Sequence, residues 1–368
     1  MEAPRAPHVD EFPSLRRLVN RVFMGAADTD MFACFPALFN EGNRENLLVC
    51  VDGEQVVSHV GMIRRHASLA GCTVSVGLIG AVATYAEYRG RGLAGRLFRL
   101  ACDKAAQDGV DFLMISGDRP LYLAAGAAFV GADASAVVTP GAAQALADPS
   151  IRIDSVTPAD LDACRMAYDA KPARFLRPLD DWHAFLDTRL CEGHPADWDL
   201  VRRKDVPCGY IVHRPSREPG TRRVVEWAGE TTAVAAALTC LMERYEAARL
   251  EVHVQGADSV FYGLLRAAGV ELRSKPASGT YLLLRFEALM ARLRPWFEAR
   301  LGLADAARLS FTQDGERFAV ALGQERQEVH GRAEAARLVF GNPEGERRDG
   351  FLARAFPVPS LRYGLNYT

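Results

Sequence analysis

Hydrophobic and polar positions alternate along the first 138 residues in a pattern that predicts helices interleaved with strands. In chain order the pattern predicts helices over 11–23 and 31–39, strands over 55–68 and 72–84, a helix over 93–107, a strand over 112–116, a short helix near residue 122 and a strand over 129–138. The two long strands flank the turn Leu69-Ala70-Gly71. Helices between strands, some of them joined by hairpins, make this part of the chain a mixed α/β unit.

Two further stretches follow a small, turn-rich segment at 139–150, which is typical of a linker. The predicted elements of the second stretch are a strand over 151–156, a helix from 157, strands over 199–203, 209–213 and 222–227, a helix over 232–247, a strand over 250–254, a helix over 258–268 and a strand over 281–286. Their order resembles that of the first stretch, which indicates a structural duplication without obvious sequence identity. The predicted elements of the third are a helix over 287–301, a hairpin of 308–312 and 317–322, a strand over 327–330 and a helix over 334–338. We therefore predict three domains, at 1–138, 151–286 and 287–368.

Composition excludes several classes of protein. The 368-residue chain has 49% hydrophobic and 24% charged residues, as globular proteins do, and its net charge of −2 argues against a nucleic-acid partner. No apolar run approaches the ~18 residues of a membrane helix, and the first 30 residues are rich in charge, so we expect a cytoplasmic protein without a membrane partner.

Only four of the 44 basic residues are lysine, which is typical of a GC-rich bacterial genome. The eight cysteines lack C-x-x-C or metal-ligand spacing, so we expect reduced thiols and no metal.

The strongest local signal is a glycine turn between an extended run and a helix, in the segment Ala81-Val-Ala-Thr-Tyr-Ala-Glu-Tyr-Arg-Gly-Arg-Gly-Leu-Ala-Gly95. Gly90 and Gly92 let the backbone approach a ligand closely, and the first amides of the helix point outward at the positive end of its dipole. Arg89, Arg91 and Arg96 add positive charge at the same place. Such a turn fits a pyrophosphate. The segment lacks the Gly-Lys-Ser/Thr of a Walker loop and the acidic residue that follows a dinucleotide fingerprint.

The pattern Arg89-x-x-Gly92-x-Ala94 after a strand instead resembles the acetyl-CoA turn of the GNAT acyltransferases. The resemblance implies that acetyl-CoA binds, as a co-substrate, at Val82, Ala83, Thr84, Arg89, Gly90, Arg91, Gly92, Leu93, Ala94 and Gly95. It also implies that Tyr122 donates a hydrogen bond to the departing thiolate. The family usually shows Tyr-x-x-x-Gly-Phe, whereas Phe129 is displaced here by two positions. The alternative for Tyr122 is a buried ring with a structural hydroxyl.

The three-part layout resembles the enhanced-intracellular-survival type of bacterial acetyltransferase, which has two GNAT-like domains and a sterol-carrier-like third domain. The resemblance implies an α+β, or mixed α/β, fold, in which the tandem GNAT-like domains have mixed, mostly antiparallel central sheets with flanking helices. It also implies a homo-oligomer. The second domain lacks the glycine turn, and Glu226 and Glu230 place negative charge where a pyrophosphate would bind. We therefore expect one active site per chain.

The same resemblance implies that an amine attacks the thioester directly, without a covalent enzyme intermediate. It implies further that the terminal carboxylate of the chain, here that of Thr368, enters the site of the first domain. The tail is too apolar for a solvated end, and Pro357 and Pro359 limit its freedom. The alternative is a tail that packs on a neighbouring surface and takes no part in chemistry.

Two functions are compatible with these residues. The first is acetyl-CoA-dependent N-acetyl transfer to a small cationic amine or a peptide, and the second is a CoA- or lipid-binding module without acetyl transfer. Asp28, Asp30 and Glu87 are candidates for lining an acceptor pocket, with solvated loop charges as the alternative. His59 and His66, on the long hairpin, fit core or surface histidines better than catalytic bases.

Overall fold

The structure, a computed structural model, describes residues 2–24, 30–345 and 348–367. Its helices are α1 (Phe12–Phe23), α2 (Met31–Cys34), α3 (Leu93–Gln107), α4 (Pro120–Ala124), α5 (Pro140–Leu146), α6 (Leu161–Asp169), α7 (Leu179–Thr188), α8 (Thr231–Arg244), α9 (Ser259–Ala267), α10 (Phe286–Arg292), α11 (Arg294–Leu301), α12 (Leu303–Arg308), α13 (Arg332–Phe340) and α14 (Gly350–Ala355). Among the residues described, no helix is both long enough and apolar enough to cross a lipid bilayer.

The strands are β1 (Leu47–Asp52), β2 (Gln55–Leu69), β3 (Cys72–Thr84), β4 (Phe112–Ile115), β5 (Ala128–Phe129), β6 (Asp133–Val138), β7 (Ile151–Ser155), β8 (Ala173–Phe175), β9 (Leu190–Cys191), β10 (His194–Pro195), β11 (Asp197–Arg203), β12 (Val206–Pro215), β13 (Thr221–Gly229), β14 (Arg249–Val254), β15 (Leu272–Lys275), β16 (Thr280–Leu283), β17 (Leu309–Asp314), β18 (Arg317–Leu322) and β19 (Glu325–His330). They form two large mixed sheets, a small antiparallel sheet and a short two-stranded ribbon. The α+β fold predicted from the sequence is confirmed.

The two large sheets exchange strands. The first sheet has the order β1-β2-β3-β4-β16-β5, with β8 on the edge of β2, and the second has the order β15-β6-β14-β13-β12-β11-β7. The single strand predicted over 129–138 is therefore wrong: it is divided at Gly131, whose φ is +73°, into β5 and β6, which belong to different sheets. The predicted domain limits at 138 and 286 thus do not follow the sheets, because an apolar strand pattern does not specify which sheet edge the strand completes.

The segment predicted as a linker contains helix α5. Thr139 caps its first turn by accepting a hydrogen bond from the Ala142 amide, and Pro140 occupies the first helical position. The hydroxyl of Thr239 on α8 donates to the Ala143 carbonyl at 2.6 Å, which fixes α5 on the second sheet's helical layer. The small residues of this segment therefore serve close helix packing.

The third part of the chain packs helices against the sheet β17-β18-β19. The helix predicted over 287–301 is two helices, α10 and α11, because Pro295 removes an amide donor and its ring is tolerated only in a first turn. After α14 the tail returns to the first sheet, where the Tyr281 hydroxyl donates to the Leu361 carbonyl at 3.0 Å. Phe356, Val358 and Leu361 are buried, so the tail docks as its apolar pattern predicts.

Candidate active site

Strand β3 leaves strand β4 near the middle of the first sheet. The two strands pair in parallel only from Val76 to Ile79, whereas β3 continues to Thr84 with β2 as its partner. A bulge lies at the point of divergence, since Ala81 and Val82 together oppose one residue of β2. Among the described residues, no strand pairs with this last part of β3 on the β4 side. Its backbone groups are therefore available to a ligand.

A hydrogen bond from His59 stabilises the bulge at Ala81 and Val82. Ala81 has φ of +51°, which is costly for a residue with a Cβ, and its carbonyl accepts a hydrogen bond from Nδ1 of His59 at 2.8 Å. Burial lowers the pKa of His59 to about 4, although the bond to Ala81 opposes the shift. The ring is thus neutral and belongs to the core, as its sequence predicts, whereas His66 lies on the surface.

We expect His59 to make the stability of the protein depend on pH. Its folded-state pKa lies below its ordinary value of 6.5, so the unfolded chain takes up the proton first as the pH falls. The free energy of unfolding should fall by about 2 kcal/mol between about pH 7 and about pH 5 through this residue alone. Urea unfolding of His59→Asn, which keeps a donor for Ala81 but cannot titrate, should lack this part of the pH slope. His66→Asn is the control, and equal slopes in all three proteins would contradict the assignment.

The glycine turn between β3 and α3 has the backbone of an anion site. Gly90 and Gly92 have φ of +76° and +71°, and Gly92 is the residue that precedes the first turn of α3. A Cβ at either position would meet no atom within 4 Å, so the space beside the turn is open. The amides of Leu93, Ala94 and Gly95 start the helix and have no partner inside it. These donors and the dipole of the 15-residue helix favour a phosphate group.

Two arginines flank the turn without neutralising carboxylates. Arg89 Nε donates to the Thr84 carbonyl at 3.3 Å, and Arg91 Nη2 donates to the Glu87 carbonyl at 2.9 Å. Both side chains are exposed, and neither forms an ion pair with a carboxylate in the described part of the chain. Arg91 also lies over the ring of Tyr88, 4.7 Å from its centroid. Both guanidinium groups thus stay at the surface beside the turn, where a ligand can reach them.

Tyr122 lies where β3 and β4 part. Gly117 follows the end of β4, and a Cβ on it would stand 3.6 Å from Cε2 of Tyr122. The ring is 5% exposed and meets Phe98 edge to face, with centroids 5.2 Å apart. Its hydroxyl makes no hydrogen bond to a described residue. Burial raises the pKa of Tyr122, although Arg119 opposes this, so the phenol stays protonated and can donate over the whole physiological range.

The tail reaches the same end of the first sheet. Tyr363 is buried, and its hydroxyl has no hydrogen-bond partner among the described residues. Burial raises the pKa of Tyr363, and so do the neighbouring phenols of Tyr281, Tyr367 and Tyr122. The rings of Tyr363 and Tyr367 are 5.4 Å apart. Thr368, which was predicted to supply a carboxylate, lies outside the described residues.

A cavity of about 270 Å³ lies beside the end of the tail. Its walls come from four parts of the chain, and its lining includes Phe35, Ile63, Phe185, Leu365, Asn366 and Tyr367. The carboxylates of Asp180, Asp181 and Glu192 line it as well. Asp181 pairs with Arg65 at 3.0 Å and Glu192 with Arg214 at 2.5 Å. Asp180, which is exposed, forms no ion pair within the described ranges. Arg65 also lines the cavity, so three carboxylates against one arginine leave the lining with a net negative charge.

The acidic residues proposed from the sequence are elsewhere. Asp30 caps α2 and pairs with Arg16, while Glu87 is exposed beside the glycine turn, and Asp28 lies outside the described residues. Helix α7, which brings Asp180 and Asp181 to the cavity, was not predicted from the sequence. A signal was present, because Pro178 followed by two aspartates is typical of a helix start.

The second large sheet has no comparable turn. One residue, Glu230, separates the end of β13 from the start of α8, and a Cβ on Gly229 would stand 2.3 Å from the Cys208 carbonyl oxygen. Glu230 does stand at the helix start, where it pairs with Arg203 at 2.9 Å. The expectation for Glu226 is wrong, since this side chain is buried against the tail.

Comparison with known proteins agrees with this geometry. Residues 3–128 match the family model of the acetyltransferase (GNAT) domain. No curated protein sequence matches the chain. A GCN5-related N-acetyltransferase from Anabaena variabilis is 14% identical, with a TM-score of 0.67 and 97% of each chain covered. One from Kribbella flavida is 16% identical, with a TM-score of 0.65 and 98% of each chain covered. Eis1 from Mycobacterium abscessus is 15% identical, with a TM-score of 0.65 over 98% of this chain and 99% of its own.

The chain therefore contains a GNAT acetyltransferase domain, and the protein is an acyltransferase that uses an acyl-CoA as the donor. Its fold over nearly the whole chain is that of the three solved structures, among them an enhanced-intracellular-survival protein. The predicted resemblance is thus confirmed for the fold.

Proposed function

We propose that the protein transfers an acetyl group from acetyl-CoA to the amine of a small cationic molecule by direct attack. The observation that carries the proposal is the open edge of β3 with Tyr122 close to it. The phenol of Tyr363 neighbours those of both Tyr122 and Tyr367, and Tyr367 lines the acid-lined cavity. The amides of 90–95, with Arg89 and Arg91, would hold the pyrophosphate. The backbone of Val82, Ala83 and Thr84 would hold the pantetheine arm and the thioester oxygen.

In the proposed reaction the amine nitrogen forms a bond to the thioester carbon, and the carbon–sulfur bond breaks to release CoA thiolate. Tyr122 donates a hydrogen bond to that thiolate. Full proton transfer from Tyr122 is uphill, because a phenol has a pKa near ~10 and a thiol near ~8.5, and burial raises the pKa of Tyr122 further. The terminal carboxylate of Thr368 would orient the acceptor or take its proton.

The acidic cavity supports a cationic acceptor. An amine of pKa near ~10 is an ammonium ion at neutral pH, so carboxylates at the cavity wall attract it. The same negative charge favours the ammonium form, so a base has to take the proton before attack. The wall also contains Phe35 and Tyr367, which suit the apolar part of an acceptor. The homo-oligomer, the cytoplasmic location and the sterol-carrier-like likeness of residues 287–368 stay predictions.

Thiol release from acetyl-CoA tests the proposal. The purified chain should release CoA thiol in the presence of amines from a panel of polyamines, aminoglycosides and lysine peptides, with cationic amines above neutral ones. Mass spectrometry should find the acetylated amine in equal amount. Binding of acetyl-CoA without thiol release for any amine would favour the alternative of a CoA-binding module.

We expect acetyl-CoA to bind once per chain, at the glycine turn. Gly92→Glu puts a carboxylate where the pyrophosphate is proposed to bind, so Kd should rise at least ~30-fold through like-charge repulsion. Gly53→Glu is the matched control, because Gly53 has φ of +61° and open space around it but lies in the β1–β2 turn. Calorimetric titration should show one site in the control and none in Gly92→Glu. Two sites per chain, or a site that survives Gly92→Glu, would contradict the assignment.

A further inference from the structure

A buried ion pair of the second sheet contacts the tail. Arg177 donates from Nη1 to Oε1 of Glu226 at 2.7 Å and from Nη2 to Oε2 at 2.5 Å. Their side chains are 1% and 7% exposed. Burial opposes ionisation, but the charge and hydrogen bonds of Arg177 outweigh it and keep the pKa of Glu226 below its ordinary value. A buried pair of this kind is weak evidence for stability, because desolvation offsets much of its attraction. Its position therefore needs another explanation.

Both members of the pair bind the last turn of the tail, at Gly364–Asn366. The Leu365 amide donates to Oε2 of Glu226 at 3.1 Å. The side-chain oxygen of Asn366 accepts from Nη2 and Nε of Arg177 at 2.7 and 3.0 Å, in the amide orientation that satisfies both groups. Gly364 has φ of +50°, and a Cβ on it would stand 2.0 Å from Oε2 of Glu226. The carboxylate thus touches backbone that only glycine leaves accessible.

The pair is not needed to dock the rest of the tail. Upstream residues are held by their own apolar burial, and Tyr281 binds both the carbonyl and the amide of Leu361, at 3.0 and 2.8 Å. Loss of the pair should therefore free only the residues after Tyr363. Three of these, Leu365, Asn366 and Tyr367, line the cavity to which we assign the acceptor.

We propose that Arg177 and Glu226 are positioning residues for acetyl transfer, which hold Gly364–Asn366 so that the end of the chain forms a wall of the acceptor cavity. This inference rests on the proposed function. It also gives the second sheet, which has no phosphate-binding turn, a part in the reaction: it carries the pair that fixes the tail.

Two variants test the inference, one by changing the ion pair and the other by changing the tail. Glu226→Gln removes the charge and keeps the size, while Gly364→Ala leaves the pair intact and pushes the tail away from it. Asp199→Asn is the matched control, because Asp199 is a fully buried carboxylate of the same sheet, bound by His213 and Tyr245, that does not touch the tail. For each variant we would measure Kd for acetyl-CoA, kcat, KM for the best amine, thermal stability and the hydrogen exchange of residues 351–367.

We expect kcat/KM for the amine to fall roughly 10- to 100-fold in both test variants, because displacement of a site wall by about an ångström has that effect. Exchange should rise in residues 364–367 and not in 351–363, and Kd for acetyl-CoA should not change. Asp199→Asn should lose stability without a change in kcat/KM. If Gly364→Ala raises exchange of the tail but leaves kcat and KM unchanged, the inference is wrong and the pair is only structural. A wild-type chain that releases no thiol with any amine contradicts the proposed function itself, and the positioning role with it.

Discussion

Replacing Tyr122 with phenylalanine is expected to lower kcat by roughly 10- to 1000-fold, the range for the loss of a positioned acid or oxyanion donor. The hydroxyl is the part that changes, since the ring keeps its edge-to-face contact with Phe98. It makes no hydrogen bond to a described residue, so its removal leaves no partner group there unsatisfied. Steady-state kinetics with saturating acetyl-CoA and amine measure the effect, and calorimetry should show an unchanged Kd for acetyl-CoA.

Tyr245→Phe is the control for this experiment. It removes a half-buried hydroxyl that donates to Asp199 at 2.9 Å in the second sheet, away from the proposed site. It should cost stability and leave kcat unchanged. Burial raises the pKa of Tyr122, so this phenol should not titrate between about pH 7 and about pH 9. The pH profiles of the wild type and of Tyr122→Phe should therefore have the same shape in this range. An unchanged kcat in Tyr122→Phe would assign the ring to packing.

Changing the end of the chain should produce the second large effect. Deletion of Tyr367 and Thr368, or addition of a few residues after Thr368, should lower kcat roughly 100-fold and raise KM for a cationic amine. A free carboxylate of pKa near ~3.5 is a poor base for an ammonium near ~10, so it would act through a water molecule, or by orienting the fraction of the amine that is already neutral. The deletion also removes the Tyr367 ring from the cavity wall.

A C-terminal amide separates charge from shape. A chain of full length whose terminal carboxylate is converted to an amide keeps Tyr367 and loses only the negative charge. If the charge matters, the amidated chain should have the lowered kcat and raised KM of the extended chain. Its Kd for acetyl-CoA and its melting temperature should equal those of the wild type. If extension and amidation leave kcat and KM unchanged, Thr368 has no part in the reaction and the base must be another group.

Much of the local structure could be predicted because it depends on residues close together in the chain. The bounds predicted for α3, 93–107, agree with the structure, and those for β2 and β3 differ by at most one residue. Periodicity, a glycine at the helix start and a tight hairpin turn specify these elements locally. The helix predicted over 31–39 is shorter, since α2 ends at Cys34 and Pro36 follows closely.

Only the part of the proposed site that is built from consecutive residues could be predicted from the sequence. The glycine turn was visible in the sequence because its glycines, arginines and helix start are consecutive. The acidic cavity was not, because Phe35, Asp180 and Tyr367 come from distant parts of the chain. From the sequence, Glu226 was an acidic residue expected to repel a pyrophosphate. The structure instead shows it buried, where it accepts hydrogen bonds from Arg177 and from the Leu365 amide of the tail.

The α+β class, the positions of the long strands and helices, the glycine turn before α3 and the apolar character of the tail all follow from the sequence. Only the folded structure showed which sheets β6 and β16 complete, where residues 356–367 dock, and which carboxylates face the cavity. The reason is physical: a helix or turn is stabilised by neighbours a few residues away, whereas the bond from Leu365 to Glu226 joins residues 139 positions apart. Contacts of that kind depend on shape and charge complementarity between surfaces that exist only after the chain has folded.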